Sequence, residues 1–211
     1  TNENKVYFVD YKMKQVEIMF LHRGEMFVTK NIPIITLYNE YFGGGMSSIV
    51  FQDLREAKAL AYSVSSRYGI PDSKDKYFMM TSYIGTQSDK LREAMTGFDE
   101  LLNNMPMSDI TFSAAKDGVL KSIQTERILR NDVLRSYLSA KRQGIDYDIR
   151  KDVYDNVTKY NLNDVKAFNE KYVKGNKYVY LVIGDKSKLD FSILEKYAKV
   201  EELTLEQVFG Y

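Results

Sequence analysis

The chain has 211 residues, of which 44% are hydrophobic and 28% charged, a composition typical of one globular domain rather than of a disordered segment. Because 30 Lys and Arg residues balance 29 Asp and Glu residues, the charge gives no reason to expect a nucleic acid or an anionic membrane as partner. The absence of Cys excludes disulfides, thiol nucleophiles and thiolate metal ligands.

The sequence contains no apolar run of about 18 residues, so no membrane-spanning helix is expected. Residues 1–4 contain neither an initiator Met nor the charged and apolar regions of a signal peptide. We therefore interpret the chain as an excised or processed segment of a longer parent.

The N-terminal quarter carries signals for two strands and a helix. Residues 5–10 and 16–21 are rich in β-formers, which predicts a hairpin or two successive strands. Residues 31–42 follow a helical period, with Pro33 suited to the first turn and the glycines at 43–45 ending the helix. The predicted apolar face of this helix contains Ile34, Leu37, Tyr38 and Tyr41.

A second helix and two strands follow the glycines. Ser47 or Ser48 is expected to cap a helix that runs to about Lys58. Alternation over 62–68 predicts a strand, and a turn at 69–75 leads to another strand at 77–84. Tyr62, Val64, Ser66 and Tyr68 share one side of the first of these strands.

The C-terminal part is mainly helical. The most regular helix starts at Ser88 and ends before Pro106, and a further long helix is predicted from Ser108 to Leu129. The apolar stripe of the Ser88 helix contains Leu91, Ala94, Met95, Phe98, Leu101, Leu102 and Met105. Another helix follows Asn131, with Leu134, Tyr137 and Leu138 expected to face inward.

The last elements predicted along the chain are a helix and a strand. Asn161 and Asp164 have the spacing of a capping box, Gly175 ends the helix that they begin, and 177–183 is the final strand. Strands come in adjacent pairs rather than alternating with helices, and no linker divides the chain. We therefore predict one α+β domain over residues 1–211, with a mostly antiparallel sheet that helices cover on one face.

The residues give little support to a catalytic or metal site in this chain. A catalytic zinc site needs about three protein ligands, usually with two His, and His22 is the single His. We expect His22 to be an ordinary residue at the solvent edge of a strand. Asp146 and Asp148 alone do not make a calcium loop, and no G-x-S-x-G turn presents a nucleophilic Ser.

The glycines Gly43, Gly44 and Gly45 permit two interpretations, a phosphate-binding loop or a turn at a helix end. They follow a helix rather than a strand, and no G-K-[ST] comes after them, so we favour the turn.

Arg55 and Tyr62 are the remaining candidates. Arg55 lies in the last helical turn, where a cation suits the helix dipole, and Tyr62 begins a strand. Across this corner the two side chains either point into one space or serve as cap and packing residues, and their spacing alone does not decide between the two.

The stretch F-G-G-G-M-S-S followed by L-R-E-A-K-A-L-A-Y-S-V resembles the second-domain signature of the insulinase (pitrilysin) family of zinc peptidases. The order of elements along nearly the whole chain and the strand K-Y-V-Y-L-V-I-G-D are also similar to that family. The ending V-F-G-Y resembles the C-terminus of long bacterial members.

The resemblance implies a non-catalytic domain that pairs with a homologous catalytic domain to enclose an unfolded peptide. Zinc is then expected in the partner domain, on an H-x-x-E-H motif that this chain lacks. By motif position, Arg55 and Tyr62 are the residues that reach the substrate near the cleaved bond. The resemblance also implies the periplasm or cell envelope as compartment.

Two features depart from the family pattern. Ala59 stands where the family usually has Gly at the helix end, so a positive φ there is expected to cost on the order of 1 kcal/mol. Processing-peptidase subunits of the same superfamily carry a long glycine-rich loop near this point. This chain has only Gly43 to Gly45 there, so a mobile loop that gates the substrate is not expected. Two alternatives stay open: a non-peptidase assembly subunit of the same fold, and a free-standing module that binds peptides at a sheet edge.

Overall fold

The computed structural model describes residues 2–210 and contains one six-stranded sheet. Its strands are β1 (Lys5–Asp10), β2 (Gln15–Met26), β3 (Ser63–Gly69), β4 (Tyr77–Gln87), β5 (Val179–Gly184) and β6 (Val200–Glu202). The spatial order is β3-β4-β2-β5-β1-β6. The three pairings from β3 to β5 are antiparallel, and those of β1 with β5 and β6 are parallel. The mostly antiparallel sheet is confirmed, and β1 and β2 are successive strands rather than a hairpin, because β5 lies between them.

The predicted helices are present in the predicted order with some changes in their bounds, whereas the helices over residues 149–157, 191–195 and 205–209 and strand β6 were not predicted. They are α1 (Ile32–Phe42), a π-helix (Phe51–Ala57), α2 (Leu91–Asn103), α3 (Asp109–Thr125), α4 (Arg130–Gln143), α5 (Ile149–Val157), α6 (Leu162–Tyr172), α7 (Phe191–Glu195) and α8 (Leu205–Phe209). Helix α3 stops short of the predicted Leu129, since Glu126 already has an extended backbone. The capping box at the start of α6 is confirmed: Asn161 accepts from the N–H of Asn163, and Asp164 accepts from the N–H of Asn161. No helix within the described residues 2–210 is long and apolar enough to cross a membrane.

The core lies between one face of the sheet and helices α1, α2 and α6. The inward residues of β1 and β2 alternate along each strand and are buried: Val6, Phe8, Val16, Ile18 and Phe20. The predicted stripe of α2 faces them, and the Phe98 ring is fully buried with its centroid 5.0 Å from that of Phe20. The α+β fold with its main helices on one face is therefore confirmed.

Helix α4 contradicts the expectation that its apolar side chains face inward. Leu134 and Tyr137 are each 61% exposed and Leu138 is 48% exposed. A helical period identifies an apolar stripe, but it does not say whether an element of the same chain covers that stripe. Here the stripe of α4 forms part of the protein surface.

Candidate functional site

The corner between α1 and β3 is built around a close backbone approach at Gly43. A Cβ atom on Gly43 would lie 2.4 Å from the Ser66 carbonyl oxygen and 2.6 Å from the Ser66 Cβ. A Cβ on Gly44 would lie 2.7 Å from the carbonyl oxygen of Asn39 in α1, whereas one on Gly45 would meet only the Glu40 Oε1, at 3.7 Å. Residues 43–45 lie in the turn that follows α1, and packing leaves no room for a side chain at the first two glycines.

The helix after the glycines reaches Lys58, as predicted, but it ends as a π-helix. The N–H of Lys58 donates to the carbonyl of Asp53, five residues back, at 3.0 Å. Ser48 does not act as the predicted cap, because its hydroxyl donates to the Gly45 carbonyl, 2.6 Å away. Arg55 lies over Phe51, four residues earlier on the same face, with 4.7 Å from its guanidinium carbon to the ring centroid.

Ala59 ends this helix in the left-handed region, with φ 49°. It is the one non-Gly residue with positive φ in residues 2–210. The N–H of Leu60 donates to the Leu54 carbonyl at 2.8 Å, and the Lys90 ammonium donates to the Ala59 carbonyl at 3.0 Å. The condition for a cost at Ala59 is therefore met, and the left-handed conformation costs an Ala about 1–2 kcal/mol relative to an ordinary helical conformation.

Arg55 and Tyr62 line the same surface depression, of about 340 Å³, on either side of Ala59. Tyr62 is 75% exposed, and its backbone N–H donates to the Gly85 carbonyl at 3.1 Å, which fixes the start of β3 against β4. Arg55 is half-exposed, with its Nε 3.7 Å from the Glu56 Oε1. The structure thus brings the two predicted residues to one depression and buries neither of them as a packing residue.

The depression offers hydrogen-bond donors that are weakly held. An exposed ion pair contributes about 0–1 kcal/mol, and an exposed cation–π contact about 0.5–1 kcal/mol. The Arg55 guanidinium can therefore leave Glu56 and Phe51 for a better acceptor at small cost. Together with the Tyr62 hydroxyl it supplies a charged fork and a neutral O–H, both suited to carbonyl oxygens.

The other polar candidates are accounted for by local contacts. His22 is half-buried on β2, its Nδ1 is 2.9 Å from the Lys177 carbonyl oxygen, and burial lowers its pKa. Asp148 caps α5 and holds the Arg150 guanidinium, whose hydrogen bonds to Asp148 lower the pKa of that carboxyl. No cluster of three or more His, Asp or Glu side chains within residues 2–210 is arranged to hold a metal ion.

The outer edge of β3 is partly covered by the chain itself. The Asn39 amide bonds both backbone groups of Tyr68: its Oδ1 accepts from the N–H at 2.7 Å, and its Nδ2 donates to the carbonyl at 3.0 Å. The N–H of Ser66 donates to the Gly43 carbonyl at 3.4 Å. A peptide that adds as a strand along β3 would have to displace these contacts.

Sequence reasoning missed the residues that complete the depression. Gln15, Thr86, Gln87 and Lys90 line it, and they come from β2, β4 and the turn before α2. Thr86 also donates from its hydroxyl to the Leu60 carbonyl at 2.5 Å. Only the strand register places these residues beside Tyr62, and no local pattern in the sequence reports that register.

Comparison with known proteins defines the class of this domain. Residues 1–117 match the family described as the peptidase M16 inactive domain. These residues make up more than half of the chain and include the whole α1–β3 corner, so the chain belongs to that family. The resemblance carried by residues 42–68 is confirmed.

Particular relatives agree with this assignment. Over 77 residues the chain is 38% identical to the uncharacterized zinc protease YmxG of Bacillus subtilis, an alignment that covers 36% of this chain and 18% of that protein. The fold is similar to the peptidase M16 inactive domain from Pseudomonas fluorescens (TM-score 0.74, 17% identity, 89% of this chain and 45% of that one). It is also similar to the periplasmic protease PqqL from Escherichia coli (TM-score 0.70, 15% identity, 88% of this chain and 21% of that one). The chain spans less than half the length of each of these proteins.

Proposed function

We propose that this chain is the non-catalytic domain of a zinc metalloendopeptidase and that it encloses and positions a peptide for hydrolysis. The observation that carries the proposal is the shared depression of Arg55 and Tyr62, two exposed donors at the motif that joins the chain to its family. Zinc bound in a homologous catalytic domain would supply the activated water that attacks the peptide carbonyl.

The two side chains act on the carbonyl oxygen of the cleaved bond. Water attack converts a planar carbonyl into a tetrahedral oxyanion, so donors aimed at that oxygen stabilise the transition state more than the substrate. The Tyr62 hydroxyl mainly stabilises the transition state. The Arg55 fork also holds neighbouring backbone carbonyls before the reaction, because its contacts to Phe51 and Glu56 are exchanged at small cost.

The partner in this proposal is the homologous catalytic domain, in the same parent chain or in a partner subunit. Helix α4 supports a docking role, since Leu134, Tyr137 and Leu138 form an exposed apolar surface of the kind that marks protein interfaces. The similarity to a protease described as periplasmic supports the periplasm or cell envelope as the compartment.

The assembly-subunit alternative needs neither Arg55 nor Tyr62, whereas both are present and accessible here. The free-standing module would use the edge of β3, where Asn39 and Gly43 already bond the backbone of Tyr68 and Ser66. Both observations favour the peptidase domain.

Steady-state kinetics of the full parent enzyme test the proposal. Tyr62→Phe keeps the ring and removes one donor, so kcat is expected to fall by up to about 100-fold with little change in KM. Arg55→Ala is expected to raise KM as well as lower kcat, because the fork also binds the ground state.

Tyr11→Phe serves as the matched control, since Tyr11 is also exposed but lies in the turn after β1, away from the depression. All three variants are expected to melt like the wild type. Unchanged kinetics in both Arg55→Ala and Tyr62→Phe would refute the proposed role.

A further inference from the structure

The depression of Arg55 and Tyr62 continues into a second, larger one of about 690 Å³. The second depression is lined by Lys14, Gln15, Gln87, Ser88, Asp89 and Lys188, and it shares Gln15 and Gln87 with the first. The two depressions adjoin at these residues, and we call them together the sheet-end trough.

The strand register explains why the trough runs across the end of the sheet. Gln15 at the start of β2 pairs with Gln87 at the end of β4. Near the same end, Ser63 of β3 pairs with Gly85, and Glu17 of β2 pairs with Ile183 of β5. The start of β3, the end of β4, the start of β2 and the end of β5 therefore lie side by side.

This order separates two groups of side chains by a definite distance. Tyr62 precedes β3, and Lys188 lies in the short turn after β5, three strand positions away. Neighbouring strands are about 4.8 Å apart, so the trough extends roughly 14 Å between them, the length of about four residues of extended peptide.

The trough carries more positive than negative charge. Arg55, Lys90, Lys14 and Lys188 line it, against Glu56 and Asp89. Lys188 is 3.0 Å from Asp185, and Lys90 bonds the Ala59 carbonyl, whereas Lys14 makes no ion pair within residues 2–210.

We infer that the Lys14 and Lys188 end of the trough is a subsite for a carboxylate of the bound peptide, three to five residues from the cleaved bond. The inference rests on the proposed function, because it takes Arg55 and Tyr62 to mark the position of that bond. The carboxylate belongs either to a Glu or Asp side chain or to the C-terminus of the peptide, and the same ammonium groups would bind both.

Hydrolysis of quenched-fluorescence peptides by the full parent enzyme tests the subsite. One series carries Glu, Gln or Lys at single positions from two to six residues on each side of the cleaved bond. A second series of shortened peptides ends at those positions with a free or an amidated C-terminus. An exposed ion pair changes affinity by about two- to fivefold. At three to five residues from the cleaved bond, kcat/KM is therefore expected to be higher by that factor for the peptide with Glu than for the one with Gln, and lowest for the one with Lys. If the C-terminus is the carboxylate that binds, peptides with a free C-terminus are expected to exceed the amidated ones by the same factor. The preference should reside in KM and shrink in 0.5 M salt.

Charge-removing variants locate the effect. Lys14→Gln combined with Lys188→Gln is expected to abolish the preference, while Lys12→Gln, in the same turn as Lys14 but outside the trough, should keep it. No preference at any position, or an equal loss in Lys12→Gln, would overturn the inference.

The two proposals fail in different ways. If the preference is present at three to five residues but Tyr62→Phe leaves turnover unchanged, the carboxylate subsite stands, and the Arg55–Tyr62 pair marks the position of the cleaved bond without stabilising its oxyanion. If Tyr62→Phe lowers turnover of all peptides alike and no charge preference is found, the proposed function stands and the subsite is wrong.

Discussion

Replacing Gly43 by Ala tests the packing that holds the candidate site in place. The added Cβ would lie 2.4 Å from the Ser66 carbonyl oxygen, 2.6 Å from the Ser66 Cβ and 2.7 Å from the Ser66 nitrogen. All three are fixed parts of β3 rather than flexible side-chain ends, so the end of α1 and the strand must move apart. Bringing the closest contact to about 3.0 Å requires a separation of roughly 0.6 Å, of the kind that overpacking forces on a filled core.

That movement has two costs. Overpacking with a backbone shift costs about 1–3 kcal/mol. The N–H of Ser66 already donates to the Gly43 carbonyl at a length of 3.4 Å, and a further separation would break this bond at about 0.5–1.5 kcal/mol. We expect Gly43→Ala to lower the free energy of unfolding by about 2–4 kcal/mol, and Tm by roughly 5–15 °C for a domain of this size.

Gly45→Ala is the matched control, two residues away in the same turn. Its Cβ would meet only the end of the Glu40 side chain, at 3.7 Å, and Gly45 is not among the glycines with positive φ. Thermal unfolding followed by circular dichroism is expected to leave Gly45→Ala within about 0.5 kcal/mol of the wild type. If the two variants melt at the same temperature, the close approach of α1 and β3 at Gly43 is wrong.

Two further predictions concern stability. Ala59→Gly relieves the left-handed strain at φ 49° and, after the entropy that Gly adds to the unfolded chain, should raise the free energy of unfolding by about 0.5–1 kcal/mol. Ala57→Gly, within the π-helix, should lower it by a similar amount, so denaturant titration of the pair should give opposite signs. Phe98→Ala removes a fully buried ring beside Phe20 and should cost about 3–5 kcal/mol, and a loss below 1 kcal/mol in the same titration would contradict the described core.

The elements that could be predicted from the sequence are those with local causes. The strand at 5–10, the helix that ends at Phe42 and the capping box of Asn161 each depend on residues close together in the chain. The left-handed residue at position 59 also lies in a local setting, since helices commonly end in that conformation. These local preferences are retained in the folded structure because tertiary contacts stabilise the same conformations.

The features that escaped prediction depend on residues far apart in sequence. The insertion of β5 between β1 and β2 is set by pairings across more than 150 residues, so the nearness of Lys188 to Gln15 has no local signal. The exposure of Leu134 on α4 depends on what the rest of the chain leaves uncovered. The π-helix over Phe51–Ala57 was not predicted either, because its sequence is compatible with an α-helix as well.

The irregular backbone of the corner between α1 and β3 lies around the side chain of Arg55. A π-helix carries Arg55, and four residues later Ala59 takes the left-handed conformation, the only such non-Gly residue within 2–210. A corner that served only to connect α1 with β3 would be more stable as an α-helix that ends at Gly, without the cost at Ala59. Strained and uncommon backbone of this kind persists where surrounding structure holds it and gathers at functional sites. In this corner the Arg55 guanidinium lies over Phe51 and lines one depression with the exposed Tyr62. The corner that carries this uncommon backbone is therefore the one where Arg55 and Tyr62 line a shared depression.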